Sequence, residues 1–267
     1  MIEEIKLRSW TKFDEEVAQM PFRVWLFRGH YDTTWKLETS LFRLFRDLQT
    51  TFEVSQYESN RRFARDNHEK AMISQFKANA HLYLKTLPSN SQSNLEWLSI
   101  MQHFGCPTRL LDVTSSPYIA LYFALEQGHG DAAVYAFNHN EFRQTDLKVL
   151  GKDYSREVLN NVKGDKAFII PYEPKQSNER LVAQQGAFLV PSNNYETFEE
   201  IVAIYEPEKV IVKKFVIPAR LRLEGLKKLR RMNITAASLF PGLEGFCRSL
   251  RDQVETSSQL KRFEEME

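Results

Sequence analysis

The chain has 267 residues, of which 42% are hydrophobic and 12% aromatic, enough to bury the core of one large domain. Its 36 Lys and Arg residues nearly balance 35 Asp and Glu residues. The net charge of +1 therefore gives no whole-chain argument for binding nucleic acid or a membrane surface. Cys106 and Cys247 lie in no metal-binding motif, and the acidic start of the chain does not match a signal peptide. We therefore expect a cytoplasmic protein with no metal, no disulfide framework and no membrane span.

The hydrophobic pattern along the chain predicts an α+β fold, a single domain with a mainly antiparallel or split sheet and a helical insertion at about 41–87. Short apolar or β-branched runs bounded by Gly, Pro or Asn predict strands, and apolar residues three or four apart predict helices. In chain order the predicted elements are a strand at 25–29, two helices within 41–87 that break near 50–51, a helix at 94–104, an extended segment at 109–113, a helix at 118–127, strands at 132–137, 167–170, 181–190, 201–205 and 210–217, a helix at 218–231 and a last helix from 241.

Helix ends are predicted most clearly on either side of residue 105. Ser93 is expected to cap the helix at 94–104, with Glu96 as its capping-box partner and Gly105 as the left-handed residue that ends it. Ser116 followed by Pro117 predicts an N-cap and a proline in the first turn of the next helix. The two helices therefore flank a short polar segment.

That polar segment, residues 102–117, carries the strongest functional signal in the sequence. It places His103, Arg109 and Asp112, with the hydroxyls of Thr114 and Ser115, between two apolar helices, so these groups must meet near a core. Hydroxyls and free backbone N–H groups at a helix start can hold a phosphate, although simple capping by the same hydroxyls is the alternative. Upstream, Arg28 follows the apolar residues 24–27 within the predicted strand, which is expected to deliver it to the end of the sheet or to its cleft.

These residues resemble the FRG domain, which is named for a Phe-Arg-Gly signature. The resemblance covers residues 22–250 and leaves 1–21 as an N-terminal segment and 251–267 as a charged C-terminal tail. It is carried by Phe27-Arg-Gly-His30, Trp35, Leu41-Phe-Arg43, Gln102-His-Phe-Gly105, Pro107-Thr-Arg-Leu-Leu-Asp112, Ser116-Pro117, Ala120-Leu-Tyr-Phe-Ala124, Arg180, Gln184-Gln-Gly-Ala-Phe188 and Leu239-Phe-Pro-Gly-Leu243. Membership implies a bacterial or phage-associated protein and does not by itself define an activity.

The order of three short elements is also similar to that in ADP-ribosyltransferases of the Arg-Ser-Glu type. Arg28-Gly29 takes the place of that family's first-strand arginine, and Thr114-Ser115-Ser116 takes the place of its Ser-Thr-Ser element. Gln184-Gln185 stands on the third strand, where the family has a glutamate. The similarity implies an NAD-binding cleft in which an arginine holds the phosphates and the hydroxyls hold the nicotinamide ribose.

Glutamine in the third place removes the negative charge that would stabilise an oxocarbenium-like transition state. The chain is then a transferase whose acid is Asp112 or Glu179, a nicotinamide-dinucleotide hydrolase, or a binding module without chemistry. Asp112 is the preferred acid because it lies close in sequence to Arg109, and a structural Arg109–Asp112 pair is the alternative reading. The predicted catalytic residues are accordingly Arg28, Asp112 and Gln185.

The predicted cofactor-binding residues lie in the same two segments; they are Arg28, Gly29, His30, His103, Arg109, Thr114, Ser115 and Ser116. The expected partners are a nucleotide, a protein or nucleic-acid acceptor, and an antitoxin or other regulatory protein. The competing hypothesis is a non-catalytic interaction module of phage defence or a toxin–antitoxin pair. Such a module could stack single-stranded nucleic acid on the aromatic and basic residues near the N-terminus, which are Trp10, Lys12, Phe22, Arg23 and Trp25.

Overall fold

The structure is a computed structural model, and it describes residues 2–51, 58–88, 93–150, 167–175, 177–204 and 210–256. The described chain forms an α+β domain, as predicted. Its seven strands are β1 (Ile2–Lys6), β2 (Trp25–His30), β3 (Leu111–Thr114), β4 (Ala132–Asn138), β5 (Ile169–Tyr172), β6 (Gly186–Pro191) and β7 (Val212–Ile217).

Helices surround the sheet on both faces. They are α1 (Trp10–Ala18), α2 (Ser40–Thr51), α3 (Glu58–Asn79), α4 (Asn94–His103), α5 (Pro117–Leu125), α6 (His139–Leu150), α7 (Glu179–Ala183), α8 (Phe198–Ile204), α9 (Arg222–Arg231), α10 (Ala236–Leu239) and α11 (Leu243–Thr256). Short 3-10 turns occur at Ala80–Leu82 and Ala219–Leu221. In the part of the chain that the structure describes, no helix is long and apolar enough to cross a membrane.

The strands form one mixed sheet in the order β1-β7-β4-β2-β3-β6-β5. Only the β1–β7 pair is parallel, so the prediction of a mainly antiparallel sheet is confirmed. The ladder between β2 and β3 consists of a single pair, Phe27 opposite Thr114. The sheet is therefore continuous, but its central strands β2 and β3 are joined by this pair alone and separate beyond it.

Both faces of the sheet are buried, which explains the nearly continuous apolar character of its central strands. On β4, Val134 packs with helices α1, α5 and α9 on one face, while Tyr135 and Phe137 belong to a second cluster on the other face. A third cluster joins α3 and α4 to strands β5 and β6, with Leu98 and Phe188 among its members. The helical insertion therefore packs against the sheet, as its apolar stripe requires.

Helix α5 lies directly against strand β2, and this contact requires a glycine. A Cβ atom on Gly29 would lie 2.0 Å from the carbonyl oxygen of Ala120 and 2.6 Å from the backbone nitrogen of Ala124. The start of α5 is built as predicted, because Ser116 Oγ accepts from Ile119 N at 3.3 Å and Pro117 occupies the first turn. The helix thus fixes the position of β2 close to the end of β3.

Two local predictions were wrong. Residues 201–205 were predicted as a strand, but 198–204 form α8, because Thr197 and Glu200 make a capping box in which Glu200 N donates to Thr197 Oγ1 at 3.1 Å. Ser93 makes no side-chain cap bond to α4. The Glu96 carboxylate instead accepts from Lys175 N at 2.7 Å. The end of α4 is as predicted, since Gly105 has a φ of +84°.

The start of one predicted strand differs from the sequence interpretation. The segment predicted as a strand at 181–190 begins with the last turn of α7, and only 186–191 are extended. The N-terminal segment 1–21 supplies β1, which pairs with β7, and α1, which buries Trp10 and Phe13 in the core. Helix α11 runs through residue 250 to Thr256. Helix α2 ends at Thr51, where the break near 50–51 was predicted. The tail beyond residue 256 lies outside the described ranges.

Candidate functional site

A cavity of about 720 Å³ opens where β2 and β3 separate. Its walls come from β2, β3, the C-terminal end of α4, helix α7 and the residues around Phe240. Within it lie the arginines Arg28, Arg180 and Arg248 and the carboxylates Asp112 and Glu126. The aromatic rings of Trp35, Tyr31 and Phe104 also line it. The size and mixed lining are typical of a small-molecule site.

Arg28 is held in place by two neighbouring groups. Its Nε donates to His30 Nε2 at 2.9 Å, and its Nη1 donates to the carbonyl oxygen of Asp112 at 2.7 Å. The carboxylate of Asp112 is further away, with Oδ2 at 3.8 Å from Nη1. Among the described residues, Nη2 of Arg28 has no hydrogen-bond partner. The guanidinium therefore bridges the gap between β2 and β3 and keeps donors for a ligand.

His30 stabilises this arginine as a neutral base. Burial, followed by the positive charge of Arg28, lowers the pKa of His30 to about 3, while the backbone of Trp35 opposes the shift. The neutral ring can accept the Nε–H of Arg28 through Nε2, which places its own proton on Nδ1. Burial also lowers the pKa of Arg28, but an arginine remains charged at neutral pH.

Asp112 forms its ion pair with Arg28, and not with Arg109. Its side chain is 64% exposed and lines the cavity, so a bound ligand can reach the carboxylate. Arg109 instead forms a buried ion pair with Glu69 and donates to the carbonyl oxygen of Ser192 at 3.0 Å. The structure therefore does not bring Arg109 to the cavity, and the alternative Arg109–Asp112 pair is contradicted.

Helix α7 contributes Arg180, whose guanidinium carbon lies 4.8 Å from the centre of the Phe240 ring. Arg248 lies over the same ring at 4.2 Å and pairs with Glu126 at 3.2 Å. Burial raises the pKa of Glu126, and the charge of Arg248 opposes this shift. His103 lines the cavity nearby, and burial, followed by the charge of Arg180, lowers its pKa.

The predicted hydroxyl cluster holds the end of β3 and is already engaged in hydrogen bonds. Thr114 lines the cavity, and its Oγ1 donates to the carbonyl oxygen of Gln184 at 2.7 Å. Ser115 and Gln185 make a mutual contact, with Oγ donating to Oε1 at 3.3 Å. Ser116 caps α5. Neither serine, nor Gln185, is among the residues that line the cavity, whereas Gln184 is.

Gln185 has a φ of +46°, in the left-handed region, because the turn between α7 and β6 is tight. Gly186 follows it, and a Cβ there would lie 2.5 Å from the Leu181 side chain. Gln184 occupies the cavity wall instead, and its Nε2 donates to the carbonyl oxygen of Leu239 at 3.1 Å. The structure therefore brings Gln184, and not Gln185, to the cavity that Arg28 lines.

The aromatic residues proposed for stacking single-stranded nucleic acid are mostly unable to do so. Trp10 is 4% exposed and Trp25 is 9% exposed, and both belong to the core. Phe22 remains exposed, with Arg23 over its ring. Trp35 is 44% exposed and lines the cavity. A tryptophan in a polar stretch after β2 is the sequence feature that could have indicated an aromatic wall of the cavity. Only the fold shows that Trp35 faces the site.

The sheet, the helix packed on β2 and the cavity define an α+β protein with an arginine-lined cleft at the centre of its sheet. Residues 23–132 match the family model of the FRG domain, so the predicted resemblance to that family is confirmed over this region. Comparison with curated proteins and with solved structures gives no match.

The structure gives the three letters of the FRG signature separate physical roles. Phe27 is 3% exposed and belongs to the core, Arg28 reaches the cavity, and Gly29 admits helix α5. The matched region also contains Asp112 and the start of α5. The family match therefore covers the strands β2 and β3 where they meet at the centre of the sheet.

Proposed function

We propose that the cavity binds a nucleotide through its phosphates, most favourably a nicotinamide dinucleotide, and that the protein is an ADP-ribosyltransferase or glycohydrolase of a bacterial or phage defence system. The single observation that carries the proposal is that the guanidinium of Arg28 is held in place and, within the described ranges, still has free donors. Its guanidinium is held by His30 and by the Asp112 carbonyl and still has donors with no partner among the described residues. A guanidinium fixed in this way matches two phosphate oxygens.

The surroundings of Arg28 support an organic ligand as well as an anion. Trp35 and Tyr31 form an aromatic wall, with their ring centroids 4.3 Å apart, and Trp35 is partly exposed. Aromatic side chains of this kind stack on nucleobases in a way that tolerates different bases. A nucleotide combines the flat ring and the charged group that the cavity accommodates.

The proposed chemistry is cleavage of the bond between C1′ of the ribose and the nicotinamide nitrogen. The bonding electron pair leaves with the nitrogen, which gives neutral nicotinamide and an oxocarbenium-like ribosyl cation. Asp112 is the carboxylate that would stabilise this cation, because it lines the cavity beside Arg28. Water, or a nucleophile on a protein or nucleic acid, then adds to C1′ and releases a proton.

Calorimetry of the folded protein with nicotinamide dinucleotide tests the binding step. Replacement of Arg28 by Ala is expected to weaken binding by about 2 kcal/mol, more than the roughly 1 kcal/mol of an exposed ion pair, because the contact is charge-assisted and partly desolvated. Arg231→Gln is the matched control, because it removes one positive charge from an exposed residue that does not line the cavity.

Release of labelled nicotinamide, with and without cell extract or RNA, tests the chemistry separately. We expect Asp112→Asn to reduce release while the affinity for the dinucleotide is retained, because the amide keeps the shape of the side chain without its charge. Tight binding with no release under any condition would contradict the enzymatic part. If the folded parent binds no nucleotide, the interaction-module hypothesis replaces the proposal, with an antitoxin or another regulatory protein as the expected partner.

A further inference from the structure

Arg180 is a half-buried cation in the cavity that no carboxylate neutralises within the described ranges. It lies on α7, and its guanidinium contacts the Phe240 ring. No ion pair or hydrogen bond of its side chain occurs among the described residues. We propose that Arg180 forms a second anion-binding subsite, so that the preferred ligand carries two linked phosphates. This inference rests on the proposed nucleotide-binding function and names the ligand class of that site.

Arg248 provides an internal comparison, because it lies over the same aromatic ring. It forms ion pairs with Glu126 at 3.2 Å and with Glu244 at 2.8 Å. Its charge is therefore balanced by two carboxylates, whereas that of Arg180 is not. Stacking on Phe240 uses the flat face of the Arg180 guanidinium and leaves its N–H donors available for an anion.

The position of Arg180 is fixed by the elements around it. Gln184, the residue that follows α7, donates through Nε2 to the carbonyl oxygen of Leu239 at 3.1 Å, and its own carbonyl oxygen accepts from Thr114 Oγ1 at 2.7 Å. Helix α7 is thereby joined both to the end of β3 and to the residue before Phe240. An arginine held on such a helix loses little freedom when an anion binds.

The cavity thus holds two arginines with unoccupied donors, Arg28 and Arg180. A monophosphate carries one compact group of oxygens and can engage one of the two guanidinium groups fully. In the proposed site two linked phosphates engage both, as in a nucleoside diphosphate or the diphosphate bridge of a dinucleotide. The two arginines would then act together as a selective site for diphosphates.

Calorimetric titration with ADP and with AMP tests this selectivity. We expect the parent to bind ADP about tenfold more tightly than AMP, since ADP gains one charge-assisted contact. Arg180→Gln should lose that tenfold advantage on ADP while its affinity for AMP stays within about twofold of the parent's. Arg231→Gln is the control for net charge and should leave both affinities unchanged.

The titratable side chain of His103 supplies a second readout that does not depend on affinity. The charge of Arg180 acts with burial to lower the pKa of His103, and Glu244 opposes them. Following the His103 ring by NMR, we expect its pKa to rise on ADP binding to the parent and to rise in Arg180→Gln without ligand. Adding ADP to the variant should then have little further effect.

The outcomes separate this inference from the proposed function. Equal affinities of the parent for ADP and AMP, an equal loss of both in Arg180→Gln, or a His103 pKa that ADP leaves unchanged would overturn the second subsite. If Arg28→Ala weakens ADP binding and Arg180→Gln does not, the nucleotide site stands and only this inference fails. If the folded parent binds neither nucleotide, both fail.

Discussion

His30 is a buried histidine whose neutrality sets the environment of Arg28. It is 4% exposed, and its pKa is lowered to about 3 by burial and then by Arg28. A protonated ring could not accept the Arg28 Nε–H and would place two cations side by side. The native state therefore binds a proton at this ring much more weakly than the unfolded chain does.

Stability is accordingly expected to fall as the pH decreases below the unfolded pKa of about 6.5 and down towards the folded value of about 3. Between pH 6.5 and about 5 the ring accounts for a loss of roughly 2 kcal/mol. In His30→Gln, whose amide oxygen can still accept from Arg28, this part of the loss should disappear. Denaturant unfolding at several pH values checks it, and identical acid dependence in parent and variant would contradict the assignment.

Arg28 could be predicted as a site residue because a cation within an otherwise apolar strand needs a polar partner. The placement of Arg109 could not be predicted in the same way. Its partner Glu69 lies 40 residues earlier, on a helix of the insertion, and nothing local in the sequence joins the two. Proximity along the chain suggested Asp112 instead, but Arg109 lies before β3 and pairs with Glu69, whereas Asp112 lies on β3 beside Arg28.

The Arg109–Glu69 pair gives a prediction that separates structure from binding. Arg109→Met should destabilise the fold by about 3–5 kcal/mol, because it leaves the buried Glu69 carboxylate without its partner. The double variant Glu69→Leu, Arg109→Met should lose less. Chemical denaturation measures both effects, and the affinity for ADP should be unchanged in the double variant. A selective loss of ADP affinity in the double variant would indicate that Arg109 contributes to the binding site.

At the scale of elements, the position of α5 on β2 depends on Gly29. A methyl group there would overlap the backbone of Ala120 and Ala124, which cannot move without shifting the helix. Gly29→Ala is therefore expected to destabilise the protein by at least about 2 kcal/mol. Gly130→Ala is the matched control, because a Cβ at Gly130 has no neighbour within 4 Å. Similar melting temperatures for the two variants would contradict this account.

Elements with a local signal were predicted best. The cap at Ser116-Pro117 and the left-handed Gly105 define helix ends by chemistry within a few residues, and both were found. The segment 201–205 has β-branched residues typical of a strand, yet the capping box of Thr197 and Glu200 starts a helix there. The apolar face of that helix packs against the sheet. Over so few residues, a buried strand and a buried helix show the same run of apolar side chains, so the hydrophobic pattern does not distinguish them.

At the scale of the whole molecule, the N-terminal residues belong to the same folding unit as the cavity. β1 forms the edge of the sheet beside β7, and Leu7, Trp10 and Phe13 are buried in the main core. Side chains of this size stabilise a fold by roughly 1.5–3 kcal/mol each, and total stabilities are about 5–15 kcal/mol. Deletion of residues 1–21 should therefore abolish cooperative unfolding. A truncated chain with a sharp melting transition would show that they are an appendage.

The most direct test of the central claim uses the protein's own fluorescence. Of the four tryptophans, Trp35 is 44% exposed and lines the cavity, whereas Trp10, Trp25 and Trp97 are at most 9% exposed. Titration with nicotinamide dinucleotide should give a saturable change in tryptophan emission that is absent in Trp35→Phe and needs at least about tenfold more ligand in Arg28→Ala. No saturable change in the folded parent, or the same half-saturation in Arg28→Ala, would contradict a nucleotide site built on Arg28.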